Sequence, residues 1–155
     1  QAGYHSGDVY MTLRGLFPRT VKPEEFSDNI LGLSFAFVET YMQAQRAEAS
    51  ELDQICGIGY RKALEFLVKA YLCHKFPDEE ENIKKESLGK NLNRIEDGKV
   101  QTLAKRATWI GTDETHYVRK HEDLDVGTMK TFIRAMVHFI DSDLTFEQAL
   151  TIDPA

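Results

Sequence analysis

The chain has 155 residues, 42% of them hydrophobic and 28% charged, with a net charge of −6. That is one domain's length with enough apolar residues for a core, which excludes a disordered chain. An acidic balance argues against a dedicated nucleic-acid binder, which is ordinarily basic, and no apolar run approaches the roughly 20 residues of a membrane span.

Residues 1–33 are read as an extended or hairpin N-terminal segment. Asp8 to Leu16 mixes strand formers with polar residues, Phe17 to Pro23 holds two prolines, and Pro23-Glu24-Glu25 suits a short helical turn. The start at Gln1 rather than Met, with no visible signal peptide, is what a fragment lacking an upstream module would show. Residues 34–155 are assigned to one helical domain.

A first long helix is predicted over Ser34 to Ala49, capped by Ser34 and carrying Phe37, Val38, Tyr41 and Ala44 at helical spacing. A second is predicted over Glu51 to Phe76, capped by Ser50 with Asp53 in the manner of a capping box. Its stripe is Ile55, Tyr60, Leu64, Leu67, Val68, Tyr71 and Leu72. Gly57 and Gly59 lie inside it at a cost of roughly 1 kcal/mol each relative to Ala. A close approach by a neighbouring helix would explain them. The chain's two cysteines, Cys56 and Cys73, share this helix and stand about 25 Å apart along it. They are too distant to pair, as in a reducing cytosol, and two cysteines alone make no zinc site.

Pro77 ends the second helix, and Asp78 to Glu86 is either a loop or a solvated helical turn. Short and medium helices are predicted over Ser87 to Ile95 and Lys99 to Ile110, separated by the Asp97-Gly98 turn. Gly111 is read as the C-terminal stop and Trp109 as a core residue. Thr112 to Asp125 is a polar connector, TDETHYVRKHEDLD. The last long helix is predicted over Val126 to Ser142, with Met129, Phe132, Ile133, Met136, Val137 and Ile140 facing inward. Thr145 to Ile152 adds a final turn. Arg134 and His138 fall on its solvated side.

The connector concentrates the side chains that could carry chemistry. His116 and His121 stand there with Asp113, Glu114, Arg119 and Lys120. A polar loop held between amphipathic helices is a suitable place for a site, and His116 is a candidate general acid or base near neutral pH. Arg106, on the preceding helix, is a candidate phosphate fork. The alternative is that His116 and Asp113 only cap helix ends and tie the connector down. Arg61 and Glu65, four residues apart, either orient a polar group such as His116 or form a simple intrahelical ion pair. No metal-binding spacing, phosphate-cradling glycine loop or Ser/His/Asp arrangement is present, so neither a metal nor another cofactor is expected.

Two blocks resemble a known family. Gly57 to Leu72, GIGYRKALEFLVKAYL, and Ala104 to Val118, AKRATWIGTDETHYV, look like a bacterial domain-of-unknown-function family grouped with the HEPN superfamily. The likeness runs over residues 17–142. It implies an all-α antiparallel helical bundle, often dimeric, and often placed behind an N-terminal zinc-ribbon segment. Many HEPN relatives are metal-independent ribonucleases that use an Arg followed four to six positions later by a His. Here the His is His116, but Trp109, Ile110 and Gly111 stand where that Arg would be, and nine residues separate Arg106 from His116. The resemblance together with that missing Arg leads to the expectation of a homodimer that acts as a non-catalytic binding or assembly module, with RNA or a nucleotide as ligand, and the unpaired cysteines to the expectation of a cytoplasmic protein. The alternative is a metal-independent ribonuclease with a degenerate motif built on His116. Arg61, Glu65, Arg119, Lys120 and His121 are the expected binding residues, and Arg106, Asp113 and Glu114 the remaining catalytic candidates.

Overall fold

The computed structural model describes residues 22–113 and 125–152. Among these residues there are seven α-helices and no strand: α1 Asp28–Leu33, α2 Phe35–Ala49, α3 Asp53–Lys75, α4 Glu80–Lys85, α5 Leu88–Leu92, α6 Gly98–Asp113 and α7 Val126–Leu150. The expected all-α bundle is therefore the observed fold. Its frame is α2, α3, α6 and α7, with α1, α4 and α5 closing one end.

Part of the 1–33 segment is helical rather than extended. Ser27 accepts from the Ile30 N–H and opens α1, whose Ile30 is fully buried. Ser34 ends that helix and caps the next, accepting from the Phe37 N–H at 3.2 Å.

α2 and α3 form an antiparallel hairpin around a ring cluster. Tyr41 and Tyr60 meet edge to face at 4.9 Å between centroids, and Phe26 packs on both Phe37 and Tyr41. Gly59 is what lets the two helices close. A Cβ there would lie 2.9 Å from the Ala44 Cβ and 3.3 Å from the Ala44 Cα. At Gly59 the sequence expectation for a close helix contact is met within the chain. The expected Ser50 cap is not. The Ser50 N–H instead closes the end of α2, Glu51 turns the chain with a φ of 60°, and α3 starts after Leu52 without a side-chain cap. Ile55 is also not on the buried stripe. It sits about 140° around the helix from Tyr60 and is 58% exposed.

The acidic stretch after Pro77 forms a single 3-10 turn, Pro77–Glu79, followed by α4. Ile83 of α4 and Leu88 and Leu92 of α5 are buried beneath this crossover. Asn91, also fully buried, donates to the Ile83 carbonyl at 2.8 Å and ties the two short helices together.

α6 passes through Gly111 and ends at Asp113, because Gly111 is needed for packing rather than as a stop. A Cβ there would meet the Arg61 Cβ at 2.8 Å and the Met129 Sδ at 3.0 Å. α7 likewise runs on to Leu150 and absorbs the predicted separate turn, with Leu144 extending its buried face. Its start is fixed by Asp125, whose carboxylate accepts from the Thr128 N–H at 2.9 Å. That backbone bond holds the Asp125 carboxyl below its ordinary pKa. Among the described residues no helix is long and apolar enough to cross a membrane.

Candidate functional site

α3 and α6 run antiparallel, so the end of α6 comes to rest beside the first third of α3. Arg61 Nε donates to Thr112 Oγ1 at 3.3 Å, and that hydroxyl in turn donates to the Thr108 carbonyl at 2.9 Å. The Gly111 backbone lies flat against the Arg61 stem. Arg61 thus braces the point from which the polar connector leaves α6. Asp125 marks its return into α7.

Glu65 does not share in this brace. Its carboxylate is taken by Lys69 at 3.0 Å and Lys62 at 3.7 Å. Desolvation pushes its pKa up, but the Lys69 bond and the charges of Lys62, Lys69 and Arg61 outweigh that and leave it lowered. The expected Arg61–Glu65 pair is therefore split, one member bonded across helices and the other along its own helix.

Arg106 and Trp109 are both exposed on α6 near this end. Trp109 is 52% exposed, contrary to its expected place in the core. The reason is angular: two positions beyond buried Ala107, it points about 160° away from that residue's side of the helix. The Arg106 guanidinium lies 5.3 Å from the indole centroid. Lys105, Thr108 and Thr112 complete a shallow hollow of about 280 Å³ around them. Neither Lys105 nor Arg106 is salt-bridged to an acid among the described residues. The arrangement sets a half-exposed indole beside two cations, which suits stacking on a planar group beside an anion.

Glu114, His116, Arg119, Lys120 and His121 lie outside the described residues, as does the side chain of Asp113. A shared site for Arg106 and His116 falls outside them too. Among the described residues no group of three His, Cys, Asp or Glu side chains is placed to hold a metal ion.

Two clusters were not foreseen. Glu48 accepts from the Tyr60 hydroxyl and from Lys130 at 2.8 Å, and Lys130 lies over the Tyr60 ring. Burial and the bond to Glu48 push the Tyr60 pKa well up. Burial and the nearby Glu24 raise Tyr41 to about 12, against the pull of Arg134. At the opposite end His74 and Lys75 both bind Glu147 at 2.6 Å, Lys75 also binds Asp143 at 2.6 Å, and Tyr71 donates to Asp143 at 2.9 Å. His74, Glu147 and Cys73 face a groove of about 680 Å³. A second hollow of about 520 Å³ shares Leu33, Ala70, Cys73 and Glu80 with it. These partners are some seventy residues apart, and neither helical period nor a local motif announces them.

No family model matches the chain, and no curated protein or solved structure matches it.

Proposed function

We propose that this domain is a non-catalytic HEPN-like binding module that works as a cytoplasmic homodimer and holds single-stranded RNA on the Arg106–Trp109 face. The observation that carries the reading is the half-exposed indole of Trp109 beside the Arg106 guanidinium, next to Lys105 and at the root of the connector. Unpaired bases stack on such a face, and the cations meet the phosphates. Nothing in the arrangement reads base edges, so binding on this reading tolerates sequence. The overall charge of −6 restricts the contact to this local surface.

Trp109 is the chain's only tryptophan, so its fluorescence reports on this face directly. Titration with a single-stranded uridine decamer at low salt is expected to quench it, with affinity falling as salt rises. Arg106→Ala is expected to weaken binding and to flatten its dependence on salt, because it removes one phosphate contact and the cation beside the indole. An indole that ignores the RNA, together with equal affinity for wild type and Arg106→Ala, sinks the proposal. The ribonuclease reading rests on His116, which follows the braced Thr112 by four residues in the sequence. It takes over if purified wild type cleaves the RNA without metal and His116→Ala does not.

A further inference from the structure

α3 turns one side away from the core. Between Arg61 and Lys75 it carries a single acid, Glu65, among four Lys and Arg residues. Positions 62, 66, 69 and 73 recur at helical spacing and share that side along about 16 Å of the axis. The hollow of about 520 Å³ beside them is walled by Leu33 and Ser34 at the corner between α1 and α2, and by Glu80 and Lys84 of α4. Its volume falls in the range of small-molecule sites. It shares no lining residue with the hollow at Arg106 and Trp109.

Leu33, Phe66, Ala70 and Cys73 give this hollow an apolar floor. Burial raises the pKa of the Cys73 thiol, so it stays uncharged. The rim is ionic. Lys62, Lys69 and Lys84 stand there with Glu65 and Glu80, so among the described lining residues one positive charge is in excess. Lys84 is bound by Glu80, and Lys69 by Glu65 at 3.0 Å and by the Lys84 carbonyl at 3.1 Å. Lys62 is the least engaged. Its ammonium lies 3.7 Å from Glu65 and 4.9 Å from the Phe66 ring centre, and its side chain is 52% exposed. The local field is positive: burial acts to raise the Glu65 pKa, yet Lys69, Lys62 and Arg61 leave it lowered.

We propose that this hollow binds an amphipathic monoanion, a carboxylate on a hydrocarbon chain, with its head beside Lys62 and Lys69 and its chain over Phe66 and Ala70 toward Cys73. Burying the chain against the floor supplies the attraction, and the rim selects the head. A single excess charge suits a monoanion. A nucleotide brings more negative charge, and the floor offers the ring atoms of a base only the Ser34 hydroxyl, which already accepts from the Phe37 N–H. The direction follows from the adjoining groove. It continues from Cys73 and adds Asp28 and Glu147, which repel an anionic head and keep it at the Lys62 end. This site is independent of the RNA reading.

Isothermal titration calorimetry of the purified chain with decanoate, and with decyltrimethylammonium as the cationic counterpart, tests this, circular dichroism confirming that each variant is folded. Decanoate is expected to bind and the cation not to. Lys62→Gln is expected to weaken decanoate binding about two- to fivefold, the range of a partly exposed ion pair, and Glu65→Gln to tighten it by a similar factor, because the excess charge then doubles. Ala70→Trp fills the floor and is expected to abolish binding; if it does not fold, the two charge variants decide. Decanoate should also slow the alkylation of Cys73 by N-ethylmaleimide, with buried Cys56 as the silent control. A wild type that takes up no decanoate at millimolar concentration, or takes up both probes alike, overturns the proposal. So does an affinity that neither charge variant moves. Binding that survives in folded Ala70→Trp, or leaves Cys73 equally reactive, puts the anion elsewhere and overturns it too.

Discussion

Gly59 and Gly111 do the same work at two different seams. At Gly59 the α2 backbone comes close enough that a single methyl group would press on Ala44. Alanine there gains up to about 1 kcal/mol of helix propensity but meets an overpacking cost of about 1–3 kcal/mol, since Ala44 has no flexible end to move aside. Gly59→Ala is thus expected to lower the unfolding free energy by about 1–2 kcal/mol in urea titrations, with an unchanged slope. Gly111→Ala is expected to act in the same direction, because its methyl group would meet both the Arg61 stem and the Met129 sulfur. Only one of these glycines was legible beforehand. Gly59 stands in mid-helix, where its cost calls for a compensating contact. Gly111 stands where a helix stop was also plausible, and only the position of Arg61 on another helix decides between the two. Trp109 was misread for a related reason: local apolar company suggested burial, whereas its angle from Ala107 points it outward.

At the scale of elements, the long helices follow from their periodicity and their boundaries do not. α7 overran its predicted end by eight residues, since Thr145 to Leu150 has α1 and the end of α3 to lean on. That join is electrostatic. Desolvation raises the Asp143 pKa, but bonds from Lys75 and Tyr71 reverse this and leave it lowered, and bonds from His74 and Lys75 lower Glu147. Carboxylates with depressed values stabilise the fold above the ordinary range near pH 4, and that contribution is lost as pH falls through the folded values. Thermal unfolding should therefore show wild type above Asp143→Asn at pH 7, with the gap narrowing below about pH 4. A constant gap across that range would mean that packing, not the ion pair, holds α7 to α3. Burial weighs against the charged form of Lys75, yet its two acid partners raise its pKa on balance, so it stays charged throughout.

For the molecule as a whole, amphipathic stripes were enough to indicate a helical bundle, because each long helix needs a neighbour to cover one face. The pairing of those helices was less legible. α3 carries buried residues around much of its surface and touches α2, α5, α6 and α7, so its own pattern does not name its neighbours. For the candidate residues that the structure describes, the sequence names the side chains but not their partners: Arg61 on α3 bonds to Thr112 and Arg106 within α6 lies over Trp109, while Glu65 joins neither, because each contact depends on helix angle and pairing rather than on local spacing.

The short link between α2 and α3 bears on how the chain reaches this shape. Only three residues, Ser50 to Leu52, separate the two helices, and the Tyr60–Glu48 bond closes a loop of about a dozen residues. The chain entropy lost in forming such a loop grows only with the logarithm of its length, so this pair is cheap to assemble. The bonds from α3 to the end of α7 must enclose more than seventy residues before they form. The hairpin is accordingly expected to be organised at the folding barrier and the α7 tail to dock afterwards. Ala44→Gly should then chiefly slow refolding, and Asp143→Asn chiefly speed unfolding, in a stopped-flow chevron.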